Sequence, residues 1–460
     1  MSDTVASAPA KSKMTSPLLT IVIASLTLFS MFFGAGNLIF PPMVGVSSGT
    51  NFWPAIIGFL IAGVLLPVAA IVAVAISGYS VRDLAARGGV VFGVIFSVMA
   101  YLSIGAFYAL PRTGAVAMET AITPLLGWEG TAANGIFNVV FFGIALALSW
   151  KKNSVIDILG RFLTPALVIL LIVLISLAIF NYDRLPGTPT EDYSSTPLVT
   201  GLFEGYNTMD AIAGLAFGIV IIGSLRAKGF GRGGTLIRST VLTGVIAGIL
   251  LAAIYLGLGY MAQTVPNGQS YDSGAVLLAD SANLTMGTPG QAIFSLIVIL
   301  ACLTTAVGLI SATSAFFNTL VPQLNYHAWA IIFTVMSIAI AFRGLEAVMS
   351  VAVPFIVFLY PPAITLIVLT LVQPLVRKVV GFYWAYRLSL WGSVVWSALS
   401  TIAAQGWGTN FLEPLLNLSP GQDVDLGWIT PTFIVFLIGV VIDMATKSAR
   451  REAAQAPLTD

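Results

Sequence analysis

At 460 residues, with 58% hydrophobic and only 8% charged residues and a mean hydropathy of +0.97, the chain falls far outside soluble domains, where about a quarter of residues are charged. One cysteine and one histidine exclude an internal disulfide framework and a cysteine- or histidine-built metal cluster, and a formal net charge of +1 gives no basis for nucleic-acid binding. The composition is that of an all-α polytopic membrane protein.

The first residues, 1–17, are hydrophilic, read as a disordered cytoplasmic tail and lack a signal-peptide pattern. Apolar segments of spanning length follow at 18–46, 52–77, 90–118, 133–150, 161–180, 206–225, 235–262, 289–319, 327–342, 348–372, 388–405 and 428–446, about twelve helices, before a second cytoplasmic tail at 447–460. With both termini inside, 17 of the 20 Lys and Arg fall in inner loops, among them Lys151, Lys152, Lys447, Arg450 and Arg451; only Arg112, Arg184 and Arg343 are left outside. This positive-inside bias sets the orientation and supports the segment count.

The first segment carries Ser30-Met31-Phe32-Phe33-Gly34-Ala35-Gly36-Asn37-Leu38-Ile39-Phe40-Pro41-Pro42. Glycines loosen a helix and prolines cannot donate its hydrogen bond, so this span is expected to unwind near mid-membrane; packing notches and a simple kink are the alternative. Bared peptide groups in hydrocarbon need cover from protein or a cavity, which makes an unwound span a pointer to a binding site.

A second break is expected in segment six, over Thr208-Met209-Asp210-Ala211-Ile212-Ala213-Gly214-Leu215-Ala216-Phe217-Gly218. Five helices separate the two, so segment six runs opposite to segment one. Residues 18–180 and 206–372 then form two inverted five-helix repeats with discontinuous helices 1 and 6, and 388–446 adds two helices. The links Ser80 to Gly89 and Tyr271 to Leu284 occupy matching places on opposite sides, as short interfacial helices or as plain loops.

In segment three, Arg112 and Glu119 are seven apart and share a helical face toward the outer side, suited to an outer gate, a structural salt bridge or a solvated surface pair. In segment eight, Thr304, Gly308 and Ser311 make a small, hydroxylated face, which serves either close packing or, through Thr304 and Thr305, an oxygen-ligated monovalent cation. Asp210 is the acidic residue nearest a break. It is a candidate proton or gating group, or else a helix-end residue. His327 reads as a solvated interface residue and Cys302 as packing.

Gly34 to Pro42, Phe107 to Arg112 with Glu119, Gly205 to Asp210, and Ala301 to Leu309 together resemble the bacterial branched-chain amino acid:cation symporter family, the class II leucine, isoleucine and valine carriers, nearly end to end. A more distant likeness is to the neurotransmitter:sodium symporters and the leucine-transporter fold, at Gly34-Ala35-Gly36-Asn37 and Leu215-Ala216-Phe217-Gly218; Ala216 stands where that group has glycine, and no arginine follows Asn37. The resemblance implies a sodium site from Ser30, Phe33, Thr304 and Thr305. It also implies substrate contacts at Phe33, Gly34, Ala35, Gly36 and Asn37 and at Ala213, Gly214, Leu215, Ala216 and Phe217, with Phe217 and Tyr108 as covers.

The expected function is sodium-coupled symport of leucine, isoleucine and valine across a bacterial inner membrane, with no cofactor beyond the coupling ion and no obligatory protein partner. Proton coupling or export of the same amino acids is the alternative. An intramembrane enzyme is disfavoured because no nucleophile–base pair is evident, and a channel because no ring of pore-lining charge is evident.

Overall fold

In a computed structural model the described residues are 16–77, 80–151, 155–181, 186–231, 233–263, 265–271, 273–376 and 381–446. Residues 1–15 of the first expected tail, all of the second, Lys152 and Arg184 lie outside them, while Ser16 and Pro17 cap and begin α1. Every regular element among the described residues is helical; apart from the short helices Glu191–Ser195 and Thr409–Leu416 and a few 3-10 turns, they are α1 (Pro17–Phe32), α2 (Ala35–Ser48), α3 (52–77), α4 (Val81–Ala85), α5 (Val90–Leu126), α6 (Thr131–Ser149), α7 (155–181), α8 (Pro197–Asn207), α9 (Asp210–Ala227), α10 (Gly234–Gln263), α11 (Gly274–Met286), α12 (Thr288–Leu320), α13 (Tyr326–Ala341), α14 (Leu345–Val376), α15 (Trp384–Ala404) and α16 (Ile429–Thr446).

Helices stand at all twelve expected places, and nine stretches among the described residues are long and apolar enough to cross a membrane. Pro17–Phe32 and Tyr326–Ala341 are apolar but shorter. The sixth element begins at Pro197, earlier than the expected 206, because Thr200, Glu204 and Asn207 dilute the apolar signal of α8. The third runs on to Leu126, past the expected end at 118, through a π turn at Met118–Ile122.

The two repeats pack as mirror counterparts. Helix α10 runs along both halves of the first broken span, α1 and α2, while α3 runs along both halves of the sixth, α8 and α9. Small residues let these backbones close: Gly45 of α2 meets the Gly259 carbonyl of α10, and Gly201 of α8 meets the Ala55 carbonyl of α3, with no room for a Cβ at either. Both interfacial links are helices rather than loops. The first, α4, packs on α9, and the second, α11, packs on α2 with Gly274 against the Ile39 carbonyl.

Two features fix the periphery. Asp157, at the start of α7, pairs with Lys228 just past α9 at 2.8 Å and with Arg161 at 3.0 Å, joining the two repeats at one end. In the last two helices, the buried Asp443 of α16 accepts the amides of Tyr383, Trp384 and Ala385 at 2.9, 2.8 and 3.0 Å, satisfying the amide groups at the start of α15. His327 is exposed and lies against Trp150, with ring centroids 4.4 Å apart, and Cys302 is buried in α12.

Asp443→Ala strips three amides of a charged acceptor and should lower stability by about 2 kcal/mol. A thermal-unfolding series in detergent checks this: the variant should melt several degrees below the parent protein, and Asp443→Asn should fall between the two.

Candidate functional site

The first break has a local cause. The Phe33 N–H still donates to the Phe29 carbonyl at 2.7 Å, but Gly34 turns to φ −127°, ψ −152°, and α2 starts at Ala35. Close approach demands the glycine: a Cβ there would stand 2.5 Å from Thr305 Oγ1. Pro41 and Pro42 stay inside α2, where their missing N–H groups free the carbonyls of Asn37 and Leu38 beside the break.

The second break lies at Thr208 and Met209, at the leading edge of the expected stretch. Met209 adopts φ 66°, a left-handed conformation costing a non-glycine residue about 1–2 kcal/mol. Thr208 eases the turn, its hydroxyl donating to the Gly205 carbonyl at 2.8 Å and accepting from the Asp210 N–H at 3.3 Å. From Asp210 onward α9 is continuous, so Ala213, Gly214, Leu215 and Ala216 have their peptide groups inside a regular helix. This corrects the expectation that free backbone at 213–216 meets a ligand. Gly214 and Gly218 serve packing instead, against the Pro67 carbonyl and Val74.

The breaks face each other directly. Asn37 Nδ2 donates to Asp210 Oδ2 at 2.6 Å and to the Tyr255 hydroxyl, and that hydroxyl donates to Asp210 Oδ2 at 3.2 Å. All three side chains are fully or almost fully buried. A small cavity of about 20 Å³, room for about one water, opens between the breaks. Gly34, Ala35, Asn37 and Asp210 line it, with Ala213 and Phe217 from α9, Arg112 from α5 and Thr305 from α12. Phe217 rests against Phe32, ring centroids 5.5 Å apart.

The third helix is irregular at the same level. Pro111 cannot donate to the Phe107 carbonyl, and the turn before it departs from α geometry, with a π turn at Ser103–Phe107, Gly105 at φ −82°, ψ −115° and Tyr108 at φ −142°, ψ −71°. Helical bonding resumes with the Arg112 N–H donating to the Tyr108 carbonyl at 3.0 Å. This bend brings Arg112 to the breaks, where Nη1 donates to the Tyr108 hydroxyl and to the Asn207 carbonyl at 3.3 Å, and Nη2 to the Thr208 carbonyl at 3.2 Å. Tyr108 is thus a support for Arg112, and it does not line the cavity.

Arg112 and Glu119 do not meet. Glu119 is exposed and accepts the Leu345 amide at 3.0 Å, capping α14, because the π turn at Met118–Ile122 breaks the seven-residue register expected to align the two.

A second cluster lies beside the first break. The Thr304 hydroxyl donates to the carbonyls of Ser30 and Ala301, both at 3.0 Å, and the Thr305 hydroxyl donates to the Ser30 carbonyl at 3.2 Å. Four oxygens therefore converge at the C-terminal, partially negative end of α1, a donor set suited to a hard cation. Phe33 contributes a ring stacked between Phe29 and Tyr255, at 5.3 and 6.2 Å. Gly36 lies under the Arg112 guanidinium. Tyr255, the Ala301 carbonyl and the carbonyls of Asn207 and Thr208 carry no signal in the sequence that singles them out.

Two opposed discontinuous helices meeting at a buried polar cavity define a transporter of the inverted-repeat class. Solved structures agree on the fold: Mhp1, a nucleobase-cation-symport-1 family transporter, superposes with a TM-score of 0.60 at 15% identity over 96% of this chain and 94% of its own. A manganese transporter of Eremococcus coleocola gives 0.57 at 13% identity, over 96% and 97%.

The profile described as branched-chain amino acid transport protein matches residues 18–446, and the chain belongs to that family. Among its curated relatives, the branched-chain amino acid permease BrnQ of Corynebacterium glutamicum is 50% identical over 434 residues, covering 94% of this chain and 97% of the relative. The permease BraB of Bacillus subtilis is 35% identical, over 93% and 96%.

Proposed function

We propose that this protein takes up leucine, isoleucine and valine together with sodium, by alternating access around the cavity between the two breaks. The observation that carries the reading is the meeting of both breaks at one cavity, with the Ser30, Ala301, Thr304 and Thr305 oxygens immediately beside it. The family match and the names of the curated relatives supply the substrate class.

Sodium would sit among the Ser30 and Ala301 carbonyls and the Thr304 and Thr305 hydroxyls. Those hydroxyls would turn their protons away from the Ser30 carbonyl to offer lone pairs. Removing the ion leaves the same hydroxyls bonded to Ser30, so binding exchanges one set of contacts for another and can be reversed on each cycle. Because Gly34 is pressed against Thr305, a change at the ion site is felt at the break.

The substrate's apolar side chain would lie toward Met31, Phe32, Ala213, Phe217 and Leu309. A pocket of this kind separates substrates that differ by one methylene by only about 1–3 kcal/mol, so the three branched-chain amino acids should share it. The cavity must expand to admit them. Each sodium entering adds roughly 2.3 kcal/mol per 100 mV of membrane potential to the driving force. The Lys and Arg bias supports a multi-pass inner-membrane orientation with both termini cytoplasmic.

Labelled leucine uptake into proteoliposomes tests the coupling. At fixed pH, an inward sodium gradient should drive accumulation and potassium in its place should not. Accumulation driven by a pH gradient without sodium would instead favour proton coupling. Thr305→Ala removes one oxygen and should raise the sodium needed for half-maximal uptake by about tenfold, as the loss of about 1.4 kcal/mol implies. Unchanged sodium dependence would remove Thr305 from the ion site.

A further inference from the structure

Arg112 is 4% exposed, in a chain where burying a cation within the membrane carries a high cost. The groups it touches are neutral: the Tyr108 ring, 4.5 Å from the guanidinium carbon, the Tyr108 hydroxyl, and the carbonyls of Asn207 and Thr208. A guanidinium has five donors. Three are used on Nη1 and Nη2, while Nε is buried with no partner. One donor on Nη2 is left as well by the same count.

The same cavity holds a carboxyl group. Asp210 is 3% exposed, and its Oδ2 is held by Asn37 and Tyr255, again neutral groups. Among the described residues no salt bridge joins Arg112 to Asp210, although the two share a cavity. A buried guanidinium and a buried carboxyl group, each held by neutral partners, form an arrangement that a zwitterion completes.

The surroundings of Arg112 favour an anion further. A Cβ at Gly36 would lie 2.7 Å from Nη2, so the guanidinium rests on the first turn of α2. The free amides of that turn carry partial positive charge toward the break, beside Ala35 on the cavity wall. Stapling the carbonyls that end α8 explains the two Nη contacts. It does not explain a vacant Nε, or a full charge where a neutral donor would do.

We propose that Arg112 receives the carboxylate of the transported amino acid through Nε and Nη2, and that Asp210 receives its ammonium group. The inference rests on the reading of this cavity as an amino-acid site and adds its recognition rule. Both charged ends of the substrate must be free: an amino amide lacks the anion for Arg112, and a simple carboxylic acid lacks the cation for Asp210.

The test is competition against labelled leucine in proteoliposomes under an inward sodium gradient, using leucinamide, which keeps the amine but loses the carboxylate charge, and isocaproate, which keeps the carboxylate but loses the amine. The wild-type protein should prefer leucine over each by at least about a hundredfold, because either analogue leaves a buried charge unmatched. In Arg112→Gln the leucine-to-leucinamide ratio should collapse toward one while the leucine-to-isocaproate ratio holds; in Asp210→Asn the pattern should reverse. A merely structural role would weaken all three ligands alike, and unchanged ratios in the variants would overturn the proposal. If Arg112→Gln does not fold, Arg112→Lys, which keeps the charge but loses the fork, should still narrow the leucinamide gap. Wild-type protein that binds leucinamide as well as leucine overturns the assignment whatever the variants do, whereas folded wild-type protein that takes up no leucine at all tells against the transport reading.

Discussion

The hydrogen bond from Asn37 to Asp210, 2.6 Å long, joins two helices that each stop being helical at that point. In hydrocarbon a broken helix leaves peptide groups without water, and each such group costs several kcal/mol unless something else satisfies it. The two breaks answer this jointly. Tyr255 from α10 braces Asn37 and Asp210, Thr208 turns the chain into Asp210, Arg112 takes the carbonyls that end α8, and Thr304 with Thr305 takes the carbonyl of Ser30. Every one of these partners comes from a different turn or a different helix, so the opened backbone depends on the whole packing around it.

That dependence connects the fold to movement. Helices α3 and α10 each follow one broken span along its length, so each half-helix packs on a long neighbour. The short helices α4 and α11, on opposite sides, sit on α9 and α2, the halves that follow the breaks. Tilting α2 or α8 alters cover on the α11 side, and tilting α1 or α9 alters it on the α4 side. The Asp157 pair with Lys228 ties the start of α7 to the residue just past α9. The cavity of about 20 Å³ lies between the two breaks.

Much of this was legible in the residues. Long apolar runs marked the spans, and Gly34 through Asn37 followed by Pro41 and Pro42 marked the first break, because those residue types disfavour an ordinary membrane helix. Thr304 and Thr305 were readable as hydroxyls on a small face, and the chain resembled its family in several separate blocks. The second break was placed only approximately: it turns on Met209 in a left-handed conformation, and Leu215 to Gly218, which looked like the weak point, are wound, with Gly218 and Gly214 serving as seats for α3. Helix α8 was missed because Glu204 and Asn207 hid its apolar face. Arg112 was expected toward the outer side, since nothing local shows that the bend before Pro111 swings it inward. Tyr255 is one tyrosine in a long apolar helix, and only the three-dimensional meeting with Asn37 and Asp210 gives it a role.

The central claim is that opened backbone at both breaks is where ligand and ion act. Hydrogen–deuterium exchange of the purified protein, with and without saturating leucine and sodium, reads this directly. Residues 31–37 and 207–212 should exchange in the free protein and become protected together when both ligands are present, with sodium alone protecting chiefly the first stretch. Protection confined to other parts of the chain, or equal exchange at both breaks under conditions where leucine binding is measured independently, would contradict the account.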